Sequence, residues 1–388
     1  MSSILFLCNR IPNNENAGGI LYHDIIKTYG VEKFKIISVS QKLRKSKFLS
    51  EYDTTNIKQF SLRIPSSNVL FKVIKKLPLI EPLYLFFRLR RLKKKILKII
   101  KNEKFDKIFA PLRGDVLFLL DDIIKKTNLP LISMIEDTVE REVDDHSILY
   151  KRKKHIYYDV IKKVKNLGVP SETLQMFVNK SFQLNSTIVR PSYKLFTENK
   201  QKLIEKDFNI FFSGNLYAKK EVKIFIKALS VFARKNKELN IVMYVASHIK
   251  LYSNSEKVQI KNLGWIDESE LKKYMGACQV SYLPYKFEKE FAHSMKYAFP
   301  GKAGFYISNN LPLFFHGPEY SSVNTFLKTY NVGVSCSSLN EFEIVKKLET
   351  FILEPKFFAE CQKQCETSFQ REFTAEIFTE RIKKLFSI

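Results

Sequence analysis

No apolar run in this sequence approaches the roughly 18 residues that a membrane-spanning helix needs. Cysteine is scarce: Cys8, Cys278, Cys336, Cys361 and Cys365 are five in number and scattered, which excludes a disulfide framework and points to a reducing compartment. Cys361 and Cys365, four apart on a helical stretch, lack the further ligands of a zinc site. Only 12 Gly and 13 Pro are present, too few for a collagen-like or linker-rich chain. Met1 to Cys8 carries neither the basic start nor the long apolar stretch of a signal peptide. Neither a repeat of roughly 20–50 residues nor a low-complexity segment interrupts the chain. Acidic residues are in deficit, 40 against 65 basic, for a formal net charge of +25. What is abundant is hydrophobic: 45% of the 388 residues, with 33 Phe, enough for large cores and too much for wholesale disorder. The length predicts two domains, and the whole reads as a soluble, cytoplasmic protein.

The positive charge is uneven. Residues 1–200 hold 38 basic and 20 acidic side chains, whereas residues 201–388 hold 27 and 20. An excess of this size attracts an anionic partner: nucleic acid, an anionic membrane, or a phosphorylated small molecule. A lysine-rich genome would also raise the total, but it does not account for the difference between the halves.

Strand-like and helix-like segments alternate throughout. Ser3–Cys8, Phe34–Val39, Lys107–Ala110 and Pro130–Ile135 read as strands, with helical spacing over Ile20–Tyr29 and Asp115–Lys126. The pattern restarts with strands at Asn209–Gly214, Asn240–Val245, Val258–Ile260, Gln279–Pro284 and Leu313–Phe315. Helices are predicted over Val222–Arg234 and Glu268–Gly276. Continuous apolar strands joined by helices imply parallel sheets covered on both faces. Two doubly wound α/β domains in tandem fit this better than one large sheet: 1–195, then 205–370, with 371–388 as a C-terminal helix packing back toward the first. The boundary falls near 192–205, after Val189-Arg190-Pro191-Ser192.

In open parallel sheets ligands sit at the carboxyl ends of the strands, so the loops there hold the candidate chemistry. The first, Asn9 to Gly19, enters a helix through Gly18 and Gly19, whose main chain can approach an anion closely; it also suits a plain turn. In the second, Gly214 permits a tight turn and Lys220 lies where the next helix begins, a diphosphate receptor or a solvated lysine. In the third, Pro300-Gly301 delivers Lys302 at a helix start.

Read in order, these segments resemble the GT-B glycosyltransferases that use nucleotide-sugar donors (the bacterial family 4-like, group 1 type). Gly214, Leu216, Lys220 and Val222 resemble the opening of their donor domain. Gly264-Trp265-Ile266, followed by Glu270-Leu271 and Tyr274, resembles a second segment of it. Val280 to Tyr285 resembles the strand that ends in Leu-Pro-Tyr. Phe299-Pro300-Gly301-Lys302, Tyr306-Ile307 and Leu311-Pro312 resemble a fourth. The resemblance covers residues 200–380; over 1–195 only Gly18-Gly19 and Val169-Pro170-Ser171 match. It implies the GT-B fold, two Rossmann-like doubly wound α/β domains facing across a cleft, and transfer of a sugar from a nucleotide-sugar donor to a cell-envelope glycan acceptor. Lipopolysaccharide, capsule or another lipid-linked saccharide would serve as that acceptor.

The resemblance also distributes roles. Gly214, Lys220 and Lys302 would meet the donor phosphates or sugar. Apart from the resemblance, His316, beside Gly317-Pro318 in a donor-domain loop, is a further candidate contact or a surface or packing histidine. The main chain at Trp265 and Ile266 would meet the nucleobase, and Gly18 and Gly19 would line the acceptor side. No metal and no cofactor are expected, because lysines and helix dipoles can stabilise a leaving diphosphate and no Asp-x-Asp follows a strand. The retaining branch carries two Glu where this chain has Tyr297 and Phe305, so the expectation is an inverting reaction with an acidic general base. Asp137 is the preferred base and Glu136 the next; Asp137-Thr138 also suits a helix N-cap.

One further feature stands outside the catalytic reading. From Lys72 to Lys104 there are 12 basic and 2 acidic residues interleaved with Leu, Ile and Phe. Leu83–Ile100 has the composition of a helix lying on an anionic membrane, or of a core helix with a lysine-rich outer face. The first reading predicts a peripheral protein on the inner face of the cytoplasmic membrane. Two other functions share parts of the pattern: a nucleotide-sugar epimerase on the same fold, and a nucleic-acid-binding protein. Dense carboxylates are lacking for the one. For the other, the cations lie among aliphatic rather than stacking side chains, and no nucleic acid is expected as a partner.

Overall fold

The computed structural model describes residues 3–9, 11–13, 17–40, 56–61, 80–136, 148–196 and 206–387. They divide into two compact units. The first comprises residues 1–170, 175–189 and 379–388, and the second residues 171–174 and 190–378.

Runs such as Ile4-Leu5-Phe6-Leu7-Cys8, buried at every position, can only be central strands covered on both faces. In chain order the first unit has β1 (Ile4–Cys8), α1 (Ala17–Tyr29), β2 (Phe34–Ser40), β3 (Ile57–Ser61), α2 (Ile80–Asn102), β4 (Lys107–Pro111) and α3 (Leu117–Thr127). It continues with β5 (Leu131–Met134), α4 (Ile148–Ile161), β6 (Val164–Val169), α5 (Glu172–Phe182) and β7 (Asn185–Ile188). The strands form one seven-stranded sheet in the order β3-β2-β1-β4-β5-β6-β7. Every pairing is parallel, Ile4 facing Phe34 on one side and Lys107 on the other. Strand order reverses between β1 and β4, and a ligand crevice opens at such a switch point.

The second unit repeats the scheme. Its elements are β8 (Asp207–Ser213), α6 (Lys219–Lys235), β9 (Asn240–Ala246), β10 (Val258–Asn262), α7 (Glu268–Gly276), β11 (Val280–Pro284) and α8 (Ala292–Tyr297). Then come α9 (Gly301–Ser308), β12 (Leu313–His316), α10 (Ser322–Tyr330), β13 (Gly333–Cys336), α11 (Glu341–Leu353) and α12 (Pro355–Glu372); α13 (Ala375–Phe386) begins in this unit and from Thr379 belongs to the first. Six parallel strands run β10-β9-β8-β11-β12-β13, with the reversal between β8 and β11.

Aromatic side chains hold both cores. In the first unit Phe6 stacks on Phe109 at 5.0 Å, and Phe386, from the last helix, packs on Phe109 at 5.1 Å and on Tyr29 at 4.5 Å. The end of α13 is tied down by polar contacts as well: Lys107 Nζ donates to the Phe386 carbonyl at 2.9 Å and Asn166 to that of Leu385 at 3.0 Å. In the second unit Phe225 lies flat on Tyr282 at 3.8 Å. Arg190, the first residue of this unit after the linking strand, is fully buried. Its guanidinium donates to Glu372 at 2.7 Å and Glu172 at 2.6 Å and lies 4.2 Å over the Phe299 ring. Removing one partner of so buried a pair typically costs about 3–5 kcal/mol, so this cluster is a main tie of the unit. All five cysteines are buried thiols outside any disulfide, Cys361 and Cys365 on α12 included. Among the described residues no helix is long and apolar enough to cross a membrane.

Candidate functional site

At the switch point of the second sheet, β8 ends in Ser213-Gly214. Gly214 has φ +85°, a left-handed conformation that side chains resist, and its N–H bonds the Ala246 carbonyl at the end of the neighbouring strand. The turn therefore leaves the strand end open, and Lys302 fills the space. It is the second residue of α9, and its Nζ donates to the Ser213 carbonyl at 3.0 Å. The ammonium also lies 4.8 Å over the Phe212 ring and 5.7 Å over that of Tyr217. Among the described residues no carboxylate pairs with it, and burial lowers its pKa from 10.5 to about 8. Tyr306, one turn further along the same helix, also holds the strand end. Its hydroxyl accepts the Ser213 N–H at 2.9 Å and sits 3.1 Å from the Ser213 hydroxyl, and burial pushes its pKa up to about 12. A half-buried cation with one neutral hydrogen-bond partner among the described residues, beside a glycine turn and a helix start, is suited to receive an anion.

Around this centre the other expected residues divide. Lys220 is exposed on the first turn of α6, next to Glu221, which is buried and accepts the Phe287 N–H at 3.1 Å. Trp265 follows β10, 70% exposed, and stacks on His248 at 4.8 Å with 5° between the rings. Two strand ends meet there, since Leu263 donates to the Val245 carbonyl at 2.9 Å. The Ile266 side chain packs against the core, leaving its main chain as the part a ligand could meet.

His316 departs from its expected phosphate contact. It is wholly buried at the end of β12, with Nδ1 3.0 Å from the Tyr282 hydroxyl and Nε2 2.8 Å from the Ser338 carbonyl. The carbonyl can only accept, so Nε2 carries the proton and Nδ1 accepts from Tyr282. Both ring nitrogens are used within the unit, and burial lowers the pKa to about 4. This is a packing histidine.

In the first unit the switch point gathers a second group. Glu136, two residues past β5, accepts a 2.7 Å hydrogen bond from Arg113, which follows β4. A methyl group at Gly18, in the first turn of α1, would overlap Glu136 Oε2. Glycine thus lets the carboxylate lie against the N-terminal turn, where the helix dipole favours negative charge. One at Gly19 would come 2.6 Å from the Asn13 side-chain oxygen, so both glycines are needed by the packing of this loop. The Tyr22 phenol faces the same carboxylate, and its pKa is raised well above the ordinary value by burial first and the Glu136 charge second. Asp137 lies outside the described residues. Among those described, no group of three or more His, Cys, Asp and Glu side chains is placed to hold a metal ion.

The structure thus joins Gly18 to Glu136 and Gly214 to Lys302, pairs distant in sequence. Reading the sequence missed Arg113, Tyr22, Tyr306 and His248. Arg113 stands in a strand-end loop that the alternation of elements already delimits. Tyr306 lies in a motif already singled out, but nothing local ties its hydroxyl to Ser213.

The sequence matches no protein-family model, and no curated protein sequence matches it. Solved structures do resemble it over its whole length. A glycosyltransferase from Rickettsia africae is 13% identical with a TM-score of 0.65, covering 100% of this chain and 99% of its own. Sucrose-phosphate synthase from Thermosynechococcus elongatus is 9% identical with a TM-score of 0.61, over 99% and 98% of the two chains. An E. coli trehalose-6-phosphate structure bound with UDP-2-fluoro glucose is 11% identical with a TM-score of 0.60, over 100% and 99%. Likeness at such identities is a likeness of fold. The fold of this chain is GT-B, with one doubly wound α/β sheet in each of its two units.

Proposed function

We propose that this protein is a glycosyltransferase that moves a sugar from a nucleotide-sugar donor to a glycan acceptor. The observation that carries the reading is Lys302, a half-buried ammonium at the switch point of the second sheet that, among the described residues, meets the Ser213 carbonyl and two aromatic rings and no carboxylate. In glycosyl transfer an acceptor hydroxyl attacks the anomeric carbon, the bond from that carbon to the diphosphate oxygen breaks, and the diphosphate leaves with added negative charge. A preorganised cation and helix N-termini aimed at that charge stabilise the transition state more than the ground state. Lys302, the first turn of α9 and Lys220 on α6 fill this role without a metal. Trp265 and the main chain at Ile266 bound the nucleobase.

The attacking hydroxyl has to lose a proton, and a strand-end carboxylate of the first unit takes it: Asp137, or Glu136 with Arg113 and the α1 terminus orienting it. The absence of Glu at positions 297 and 305 supports inversion. The basic, apolar helix α2 supports a lipid-linked, cell-envelope acceptor and work at the inner face of the cytoplasmic membrane. Thermal-shift titration with UDP, GDP, CMP and dTDP tests the donor half. A ligand at 100 times its Kd adds about 2.7 kcal/mol of stability, and if none of the four raises Tm, the donor reading fails.

A further inference from the structure

Three helices of the first unit, α2, α3 and α4, border a cavity of 380 Å³. The α2 wall consists of Phe86, Leu89, Arg90, Lys93, Lys94 and Leu97. That spacing forms one stripe of a helix. Leu92 and Ile96, on another stripe, are buried and fix the helix to the unit. Phe118, Asp122 and Lys126 of α3 and Arg152 and Ile156 of α4 face that wall.

The charges around this cavity do not balance. Arg90, Lys93, Lys94, Lys126 and Arg152 line the cavity, Asp122 is the one carboxylate among its described lining residues, and Lys93 already pairs with it. The neighbouring Asp121 is engaged by Lys125 and Lys163. Among the described residues no carboxylate pairs with Arg90, Lys94, Lys126 or Arg152. Like charges gathered at a concavity repel one another and raise the local potential, which an anion relieves. One end of the α2 wall carries exposed apolar side chains: Phe86, which lines the cavity, is 46% exposed, and Leu83 and Phe87 next to it on the helix are 54% and 62% exposed. A free phosphate would leave these side chains in water. A nucleic-acid strand would want stacking rings interleaved with the cations, but Phe86 and Phe87 pack edge to face on each other at 5.6 Å.

We propose that this groove is a binding site for an anionic phospholipid of a membrane surface. Arg90, Lys94, Lys126 and Arg152 surround the headgroup phosphate, and the hydrocarbon lies along Phe86, Leu89 and Phe118. The inference rests on the reading of a membrane-side acceptor and narrows it from a basic helix to a discrete site built by three helices.

The test is co-sedimentation of the full chain with phosphatidylcholine vesicles, with and without an equal part of phosphatidylglycerol. Two double variants attack opposite walls, R90E/K94E on α2 and K126E/R152E across from it. K95E/K98E changes the same charge at exposed α2 positions that do not line the cavity. The parent binds only the anionic vesicles, both wall variants lose affinity by about tenfold or more, and K95E/K98E stays within about threefold of the parent. Equal losses in all three variants would make the attraction diffuse and overturn the site. Equal binding to neutral vesicles, or binding to RNA with none to vesicles, overturns it too. Nucleoside-diphosphate stabilisation, measured on the same samples, separates the two claims. Retained in a protein that ignores vesicles, it removes only the groove; absent in one that binds them, it removes only the transferase reading.

Discussion

The ammonium of Lys302 bonds the main-chain carbonyl of Ser213 at 3.0 Å, across 89 residues of sequence. An inward-pointing lysine at a strand end, with one neutral acceptor, is incompletely compensated, and that is what makes it available to a ligand. Lys302→Ala is therefore expected to weaken nucleoside-diphosphate binding by about 1.5–3 kcal/mol, roughly 10- to 150-fold. Isothermal titration measures it. The melting temperature should hold or rise, because a buried charge with little to balance it is removed. Lys220→Ala, at an exposed position, should lower affinity without changing Tm. Parental affinity in both variants would sink the phosphate assignment.

The same lysine sets a pH dependence. Its pKa of about 8 lies below the ordinary 10.5, so the unoccupied protein loses the ammonium as pH rises through about 8. A bound diphosphate favours the charged form, and binding above that pH has to take up a proton. Affinity should fall with rising pH from about 8 upward. Lys302→Arg, whose guanidinium stays protonated to beyond about pH 12, should flatten the profile over that range. A parent with constant affinity from pH 7 to 10 would contradict the assignment.

Asp137→Asn and Glu136→Gln distinguish the two bases. The one that removes the acceptor proton should lose transfer by about 100-fold or more on neutralisation, while donor affinity hardly changes. Gly18→Ala adds the methyl that overlaps Glu136 Oε2. If Glu136 acts, G18A should lower turnover as E136Q does; if Asp137 acts alone, G18A should leave most of it. Normal turnover in both carboxylate variants would place the base elsewhere.

His316 makes a prediction about stability. Its pKa in the folded protein is about 4, below the ordinary 6.5. The unfolded chain therefore binds the extra proton first as pH falls. The stabilisation is fully present above about pH 6.5 and is lost progressively as pH falls through about 4, to the extent of about 3 kcal/mol. Denaturant titrations at several pH values should show that slope in the parent and a shallower one in His316→Gln. Equal slopes would mean that other groups carry the acid sensitivity.

How much was legible follows the range of each signal. Apolar runs such as Ile4–Cys8, and Ile210-Phe211-Phe212 before the Gly214 turn, announce themselves because full burial leaves an unbroken hydrophobic run. The strands β3, β6, β7 and β13 did not: residues 57–60 are half-buried throughout, Lys165 and Asn166 break the apolar run of β6, and Asn185–Ile188 and Gly333–Cys336 are four residues each. Only pairing with a neighbour makes them strands. His316 misled for a related reason. A histidine beside Gly-Pro at a strand end looks available, and the partners that occupy it, Tyr282 and Ser338, lie 34 and 22 residues away.

By itself, then, the sequence determined the alternation of strands and helices, the loops at the strand ends, and the basic excess of the first half. These depend on local periodicity and composition, which neighbouring residues express without reference to the rest of the chain. The tertiary structure decided which residues those loops bring together. Strand order puts β1 beside β4 and β8 beside β11, and this brings Arg113 to Glu136 and makes the end of β8 the place where Lys302 can dock. It also decided that α2, α3 and α4 border one groove, so that lysines and arginines scattered in sequence line it together. Such juxtapositions come from long-range hydrogen-bond pairing and burial, whose partners are neighbours only after folding.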